Sequence, residues 1–184
     1  MLYIRLIEFF ILYLVVVFVF SRLFVPNLGF RKEPLPKKVP KGLLRTIAKL
    51  KRKNSTKLSF AKAAYDLIST KYEGSHVLTF FRFDLLFTRD VNLLWSRKGY
   101  LPCHQQNLLY RIMLVKSGLF SDDDIRICHT AIYGIIHQYV QIKLDKWTDV
   151  DLWARQCGIP FGRRANFFTI AFIEKHLYGR AKVI

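Results

Sequence analysis

Pro102-Cys103-His104-Gln105-Gln106-Asn107-Leu108-Leu109-Tyr110-Arg111-Ile112-Met113 reads as a helix with a thiol in its first turn. Pro102 favours an extended backbone leading into the helix, which presents the thiol at a corner. Leu108, Leu109, Ile112, Met113 and Val115 recur as its buried face, and Gly118 ends it. The unpaired N–H groups of a helix start favour the thiolate. Outward from this stretch, Ile136-His137-Gln138-Tyr139-Val140-Gln141-Ile142 reads as a strand carrying a histidine. Trp147-Thr148-Asp149-Val150-Asp151-Leu152-Trp153 reads as a strand carrying an aspartate. Cysteine, histidine and aspartate in that order are what a thiol nucleophile needs. The imidazole moves protons and the carboxylate orients it.

The turn between the two strands decides which carboxylate reaches the histidine. Ile136, Val140, Ile142 and Leu144 share one strand face, and His137, Tyr139, Gln141 and Lys143 share the other, more polar one. A three-residue loop, Leu144-Asp145-Lys146, pairs Lys143 with Trp147 and sets Tyr139 opposite Asp151. His137 is then the diagonal neighbour of Asp151, roughly 7–8 Å away between backbones. Asp149 falls opposite Gln141, and a two-residue loop would put Asp151 on the wrong face. The expected catalytic set is therefore Cys103, His137 and Asp151, provided the loop is odd or bulged. Each alone has a plainer reading as a buried thiol, a hydrogen-bonded strand residue or a surface acid. The ordered set is what points to chemistry.

This arrangement resembles the transglutaminase-like superfamily, a branch of the papain-like cysteine fold. The matching stretches are Gly99-Tyr100-Leu101-Pro102-Cys103 with the following helix, His137-Gln138-Tyr139-Val140, and Trp147-Thr148-Asp149-Val150-Asp151. Tyr139 matches the family's aromatic two residues after the histidine, and Trp147 its tryptophan four residues before the aspartate. Leu152 and Trp153 stand where the family usually turns with a proline. The resemblance implies an α+β domain, a nucleophile helix packed on an antiparallel sheet. It implies attack by Cys103 on an amide or acyl bond of a protein or peptide substrate, through a thioester, with His137 protonating the leaving group. Water then makes the chain a peptidase or amidase, and an amine makes it a transferase. The oxyanion is assigned to the Cys103 N–H with Gln105, Gln106 or Trp95. Nothing in the sequence demands a cofactor. No metal site is expected either, since Cys103, Cys128 and Cys157 lack a CxxC pair and Asp122-Asp123-Asp124 lacks the pattern of a calcium loop.

The rest of the chain places this chemistry. Of 184 residues, about Leu6 to Val25 form an apolar stretch long enough for a single membrane pass if Arg5 and Arg22 snorkel. Ser21-Arg22-Leu23-Phe24-Val25-Pro26 offers no small-x-small cleavage site, which favours an uncleaved anchor over residues 1–25. The formal net charge of +17 is concentrated just beyond it. Lys37, Lys38, Lys41, Arg45, Lys49, Lys51, Arg52 and Lys53 form a basic cluster suited to anionic membrane lipids. Nucleic acid is the less favoured partner, because the cluster has no interleaved stacking aromatics. By the positive-inside rule the domain faces the cytoplasm. Residues 26–57 read as a solvated Pro/Lys-rich linker, with Gly42–Lys53 as an amphipathic helix on the membrane surface. The domain is expected over residues 58–184.

Within that domain Ser59 is expected to cap a helix to about Tyr72, and Arg89–Arg97 to be helical. His76–Leu86 is apolar and aromatic without a decisive period. Ile125–Tyr133, Ile135–Leu144 and Trp147–Trp153 are expected as three antiparallel strands, and Asn166–Leu177 as a closing helix. Cys128 and His129 are strand neighbours on opposite faces, so Cys128 reads as core. His104 reads as solvated helix surface and Cys157 as a loop thiol. Two other functions fit the same sequence: a non-catalytic scaffold at the membrane surface, and a nucleic-acid-associated anchor using residues 31–57. The oligomeric state is left open.

Overall fold

A computed structural model of the chain describes residues 2–29, 32–132 and 135–166. Helix α1 (Leu2–Val15) passes through a π-helical turn (Val16–Phe20) into α2 (Ser21–Phe24). Tyr3–Phe24, 22 residues with mean hydropathy 2.4, is the one helix among the described residues long and apolar enough to cross a membrane. At 1.5 Å per residue it spans about 33 Å, against roughly 30 Å of hydrocarbon.

The elements that follow are α3 (Lys41–Lys53), α4 (Lys57–Lys71), β1 (Tyr72–Glu73), α5 (His76–Phe81), α6 (Phe83–Leu86) and α7 (Val91–Ser96). Next come β2 (Gly99–Tyr100), α8 (Cys103–Lys116), β3 (Ile125–Ile132), β4 (Ile135–Lys143) and β5 (Trp147–Val150). The architecture mixes helix and sheet. Its centre is α8, buried on nearly every side, against α4 on one flank and β4 on the other. The Tyr110 hydroxyl donates to Ala61 O at 3.1 Å, and Asn107 Nδ2 donates to Gln138 O at 2.9 Å. The sheet is antiparallel in the order β3-β4-β5, and β1 and β2 form a short parallel pair.

Local chemistry sets the boundaries. The hydroxyl of Thr56, rather than that of Ser59, caps α4, accepting from Ser59 N at 3.1 Å while Ser59 Oγ receives Thr56 N–H in return. Ser75 caps α5, which makes two short helices of the unassigned stretch His76–Leu86. Asp90 caps α7. The loop after β4 has three residues: Lys143 pairs with Trp147 and Gln141 with Asp149. That register carries Tyr139 and Asp151 to opposing positions. The third strand is shorter than expected, because Trp153–Cys157 turns into a 3₁₀ helix. The expected closing helix lies outside the described residues, apart from Asn166.

Two expectations about the linker are corrected. First, α3 does not lie apart on a membrane surface. Its Leu43 and Ile47 are buried in the same core as Phe60, Leu109 and Val140, so the folded unit takes in residues 41–53 and does not start at 58. Its basic residues remain exposed on the opposite side. Second, residues 32–40 are not free in solvent. Arg111 grips both carboxylate oxygens of Asp122 at 2.6 Å each and donates to Glu33 O at 2.8 Å, and Lys32 Nζ donates to Ile125 O at 3.0 Å. Arg111→Ala is expected to cost roughly 1–3 kcal/mol. Limited proteolysis within residues 32–40 should accelerate at least about tenfold as the clasp opens; unchanged cleavage would show that the prolines alone hold the segment.

Candidate active site

Cys103 opens α8 behind Pro102, half-buried at the edge of a cavity. The helical ladder starts with Gln105 and Gln106 N–H, both donating to Pro102 O, so the Cys103 and His104 N–H groups precede it. His137 on β4 is buried between two partners. One ring nitrogen, Nε2, is 2.8 Å from Asp151 Oδ2, and the ring also hydrogen-bonds the Cys103 thiol. With Nε2 turned to the carboxylate, Nδ1 is the nitrogen left for sulfur.

Asp151 sits just beyond β5, buried, and gathers three N–H donors. Oδ1 accepts from Ala154 N at 3.1 Å; Oδ2 accepts from Ala165 N at 3.0 Å and from His137. Its first bond ends the strand by capping the 3₁₀ helix. The second ties Ala165, in the segment after Gly158, to the same carboxylate. Trp153 then covers the imidazole, ring centroids 5.2 Å apart.

The electrostatics follow from this burial. Burial raises the Cys103 thiol, but hydrogen bonds and charge from His104 and His137 outweigh it and bring it down to about 6. Burial lowers the His137 imidazole, but the Asp151 carboxylate, then Cys103, bring it up to about 10. Between those values the pair exists as thiolate and imidazolium.

The three residues expected to form the site are thus brought together, and the proposed oxyanion side chains are not among them. Gln105 donates to Leu85 O at 3.2 Å and Thr88 O at 2.8 Å, and Gln106 to Leu101 O at 2.8 Å. Both amides tie loops to α8. Trp95 lies under the Lys71 ammonium, 3.6 Å from ring centre to nitrogen, and does not line the cavity. Among the backbone groups, Cys103 N–H stands ahead of the helical ladder beside the cavity.

Some participants escaped the sequence. His104 is buried rather than solvated, holding Leu86 O at 3.2 Å while it also bonds Cys103. Tyr100, pushed up to about 12 chiefly by burial with the Cys103 charge adding, bonds the Thr79 hydroxyl at 2.7 Å on the cavity wall. Gly74 lets Trp153 approach: a Cβ there would lie 2.1 Å from the indole. The one signal for it is a glycine just ahead of the Ser75 cap. Gly74→Ala should push Trp153 off its seat on His137, destabilise by about 1–3 kcal/mol and move the midpoint of the Cys103 alkylation profile upwards. Denaturation and alkylation measured on one preparation check both effects; no change in either means that the indole has room to move.

Cys128 and His129 do not form a second dyad. The Cys128 thiol turns to Tyr139 and is raised by burial, whereas His129 bonds Leu28 O at 3.1 Å and is lowered to about 4, mainly by burial. In comparisons with known proteins, no family model, no curated protein and no solved structure matches this chain.

Proposed function

We propose that the chain is a membrane-anchored thiol enzyme of the transglutaminase-like kind, attacking an amide or acyl carbonyl through Cys103. The observation that carries this reading is the buried His137 ring, held at Nε2 by Asp151 and hydrogen-bonded to a thiol at a helix start. The thiolate adds to the carbonyl carbon, and the Cys103 N–H faces the oxyanion. The His137 imidazolium protonates the leaving group. Asp151 keeps the ring oriented and offsets its charge. Water or an amine, giving its proton to His137, then resolves the thioester.

The setting is the inner membrane surface. Lys37, Lys38, Lys41, Arg45, Lys49, Lys51, Arg52 and Lys53 are all exposed and follow the apolar helix, which fits anionic lipid headgroups on the cytoplasmic side.

The test is the pH dependence of Cys103 acylation by unactivated alkyl esters, whose alcohol leaves only with a proton, followed by mass spectrometry of the intact chain. The rate should rise through about pH 6 as the thiol loses its proton. It should fall through about pH 10 as His137 loses the proton that the leaving group needs. A rate that climbs through the ordinary cysteine range with no alkaline limb would overturn the reading.

A further inference from the structure

The cavity beside Cys103 has a volume of about 620 Å³, within the roughly 300–1,000 Å³ of small-molecule sites. Two unrelated parts of the chain wall it. From one side come Val16, Phe20 and Phe24 of the apolar helix; from the other, Phe83, Leu86 and Phe87 of α6 and the residue after it. Cys103, His104 and His137 line it as well. The helical side runs from Val16 to Phe24, about 12 Å of rise, within the segment that is long and apolar enough to lie in a bilayer.

Both walls also present apolar side chains outward. Phe20 and Phe24 are 52 % and 60 % exposed, Phe83 is 60 % exposed, and Phe81 on neighbouring α5 is 75 % exposed. Exposed aromatic clusters of this kind mark a membrane or partner surface. Here they are continuous with the anchor itself, so the surface they meet is the bilayer. A cavity walled by that helix is then within reach of hydrocarbon, and its lining is apolar apart from Ser21, Thr79, Cys103, His104 and His137. A peptide would bring backbone amides that these walls leave unpaired. A hydrocarbon chain brings none.

We propose that the cavity takes the acyl chain of a membrane lipid, entering sideways from the leaflet, and that the substrate class of the site is a long-chain fatty acyl ester. The inference rests on the thiol chemistry proposed above and names its substrate. The Cys103 sulfur bonds the ester carbonyl carbon, the C–O bond to the lipid alcohol breaks, and the alcohol leaves with the proton from His137. Water then adds to the thioester and gives His137 its proton. The C–S bond breaks, releasing a fatty acid and the free thiol.

The experiment uses the full chain in vesicles of anionic and zwitterionic phospholipid, with p-nitrophenyl acetate, octanoate and palmitate as probes. Acyl-Cys103 formation is followed by mass spectrometry. The expected rate rises with chain length, palmitate exceeding acetate by at least about tenfold, since each buried methylene adds to binding. Partition of the longer ester into the vesicle is separated by two plugging variants. Val16→Trp fills the cavity from the exposed helix side without touching the domain core, and Leu86→Trp fills it from α6. In each, the palmitate-to-acetate ratio should fall about tenfold. A chain-length preference that survives both plugs, or none at all, overturns the inference while leaving an active thiol enzyme. Blockade by an apolar peptide with no chain-length effect does the same and points to a peptide substrate. Failure of every ester with an ordinary Cys103 titration overturns the inference together with the function it rests on.

Discussion

Asp151→Ala is expected to cost about 3–5 kcal/mol, the range for breaking one side of a buried charged pair. The carboxylate is the meeting point of three N–H groups, two of them backbone. Removing it leaves Ala154 N–H and Ala165 N–H buried, and His137 without its orienting partner. At 2–4 °C per kcal/mol for a chain of this size, the melting temperature should drop by roughly 6–20 °C. Asp151→Asn should behave differently. Its one amide oxygen can still accept from Nε2, while its NH₂ group must face a backbone donor, so the loss should be about 1–3 kcal/mol. Thermal unfolding of the three proteins in the same detergent checks the order. Equal stability of Asp151→Ala and wild type would mean that the segment carrying Ala165 is held by other contacts.

His137→Ala should raise the Cys103 titration. With the imidazole gone, burial still acts upwards and His104 alone is left to act downwards. The midpoint should move up from about 6 towards the free-cysteine value of about 8.5. The rate at one pH is a poor readout of this. A less acidic thiol gives a more nucleophilic thiolate, with a Brønsted slope of about 0.4–0.5, and that offsets much of the lost thiolate near neutrality. The whole profile is therefore needed. Turnover responds without that compensation, because the leaving group also loses its proton donor, and should fall by at least about 10³-fold. A profile indifferent to the substitution would remove His137 from the chemistry.

Parity explains why so much of the site could be read in advance. Strand side chains alternate, so one loop length settles which of Asp149 and Asp151 shares the reach of His137. The three residues Leu144, Asp145 and Lys146 give the odd count. The order of thiol, imidazole and carboxylate is likewise written in the chain. What amphipathic spacing does not specify is the apolar partner. Leu43 and Ile47 sit one helical turn apart whether they face lipid or a protein core, and here they face the core. The clasp on residues 32–40 is made through backbone carbonyls gripped by Arg111 and Lys32, which leave no periodic trace. His76–Leu86 is divided by caps into two helices too short to show a period. Gln105 and Gln106 are polar residues at the start of the Cys103 helix, but their amides are consumed by carbonyls of other segments. The cavity is the largest omission. It is assembled from the N-terminal apolar helix and a domain segment some sixty residues apart, and only the fold brings them to Cys103.

The most direct measurement is the rate of Cys103 alkylation by iodoacetamide from pH 4 to pH 10 in the full chain in vesicles, with mass spectrometry assigning the modified cysteine. A thiolate paired with His137 predicts a midpoint near 6, well below the roughly 8.5 of an ordinary cysteine. A midpoint at or above that ordinary value would contradict it, leaving an aligned trio that does no thiol chemistry.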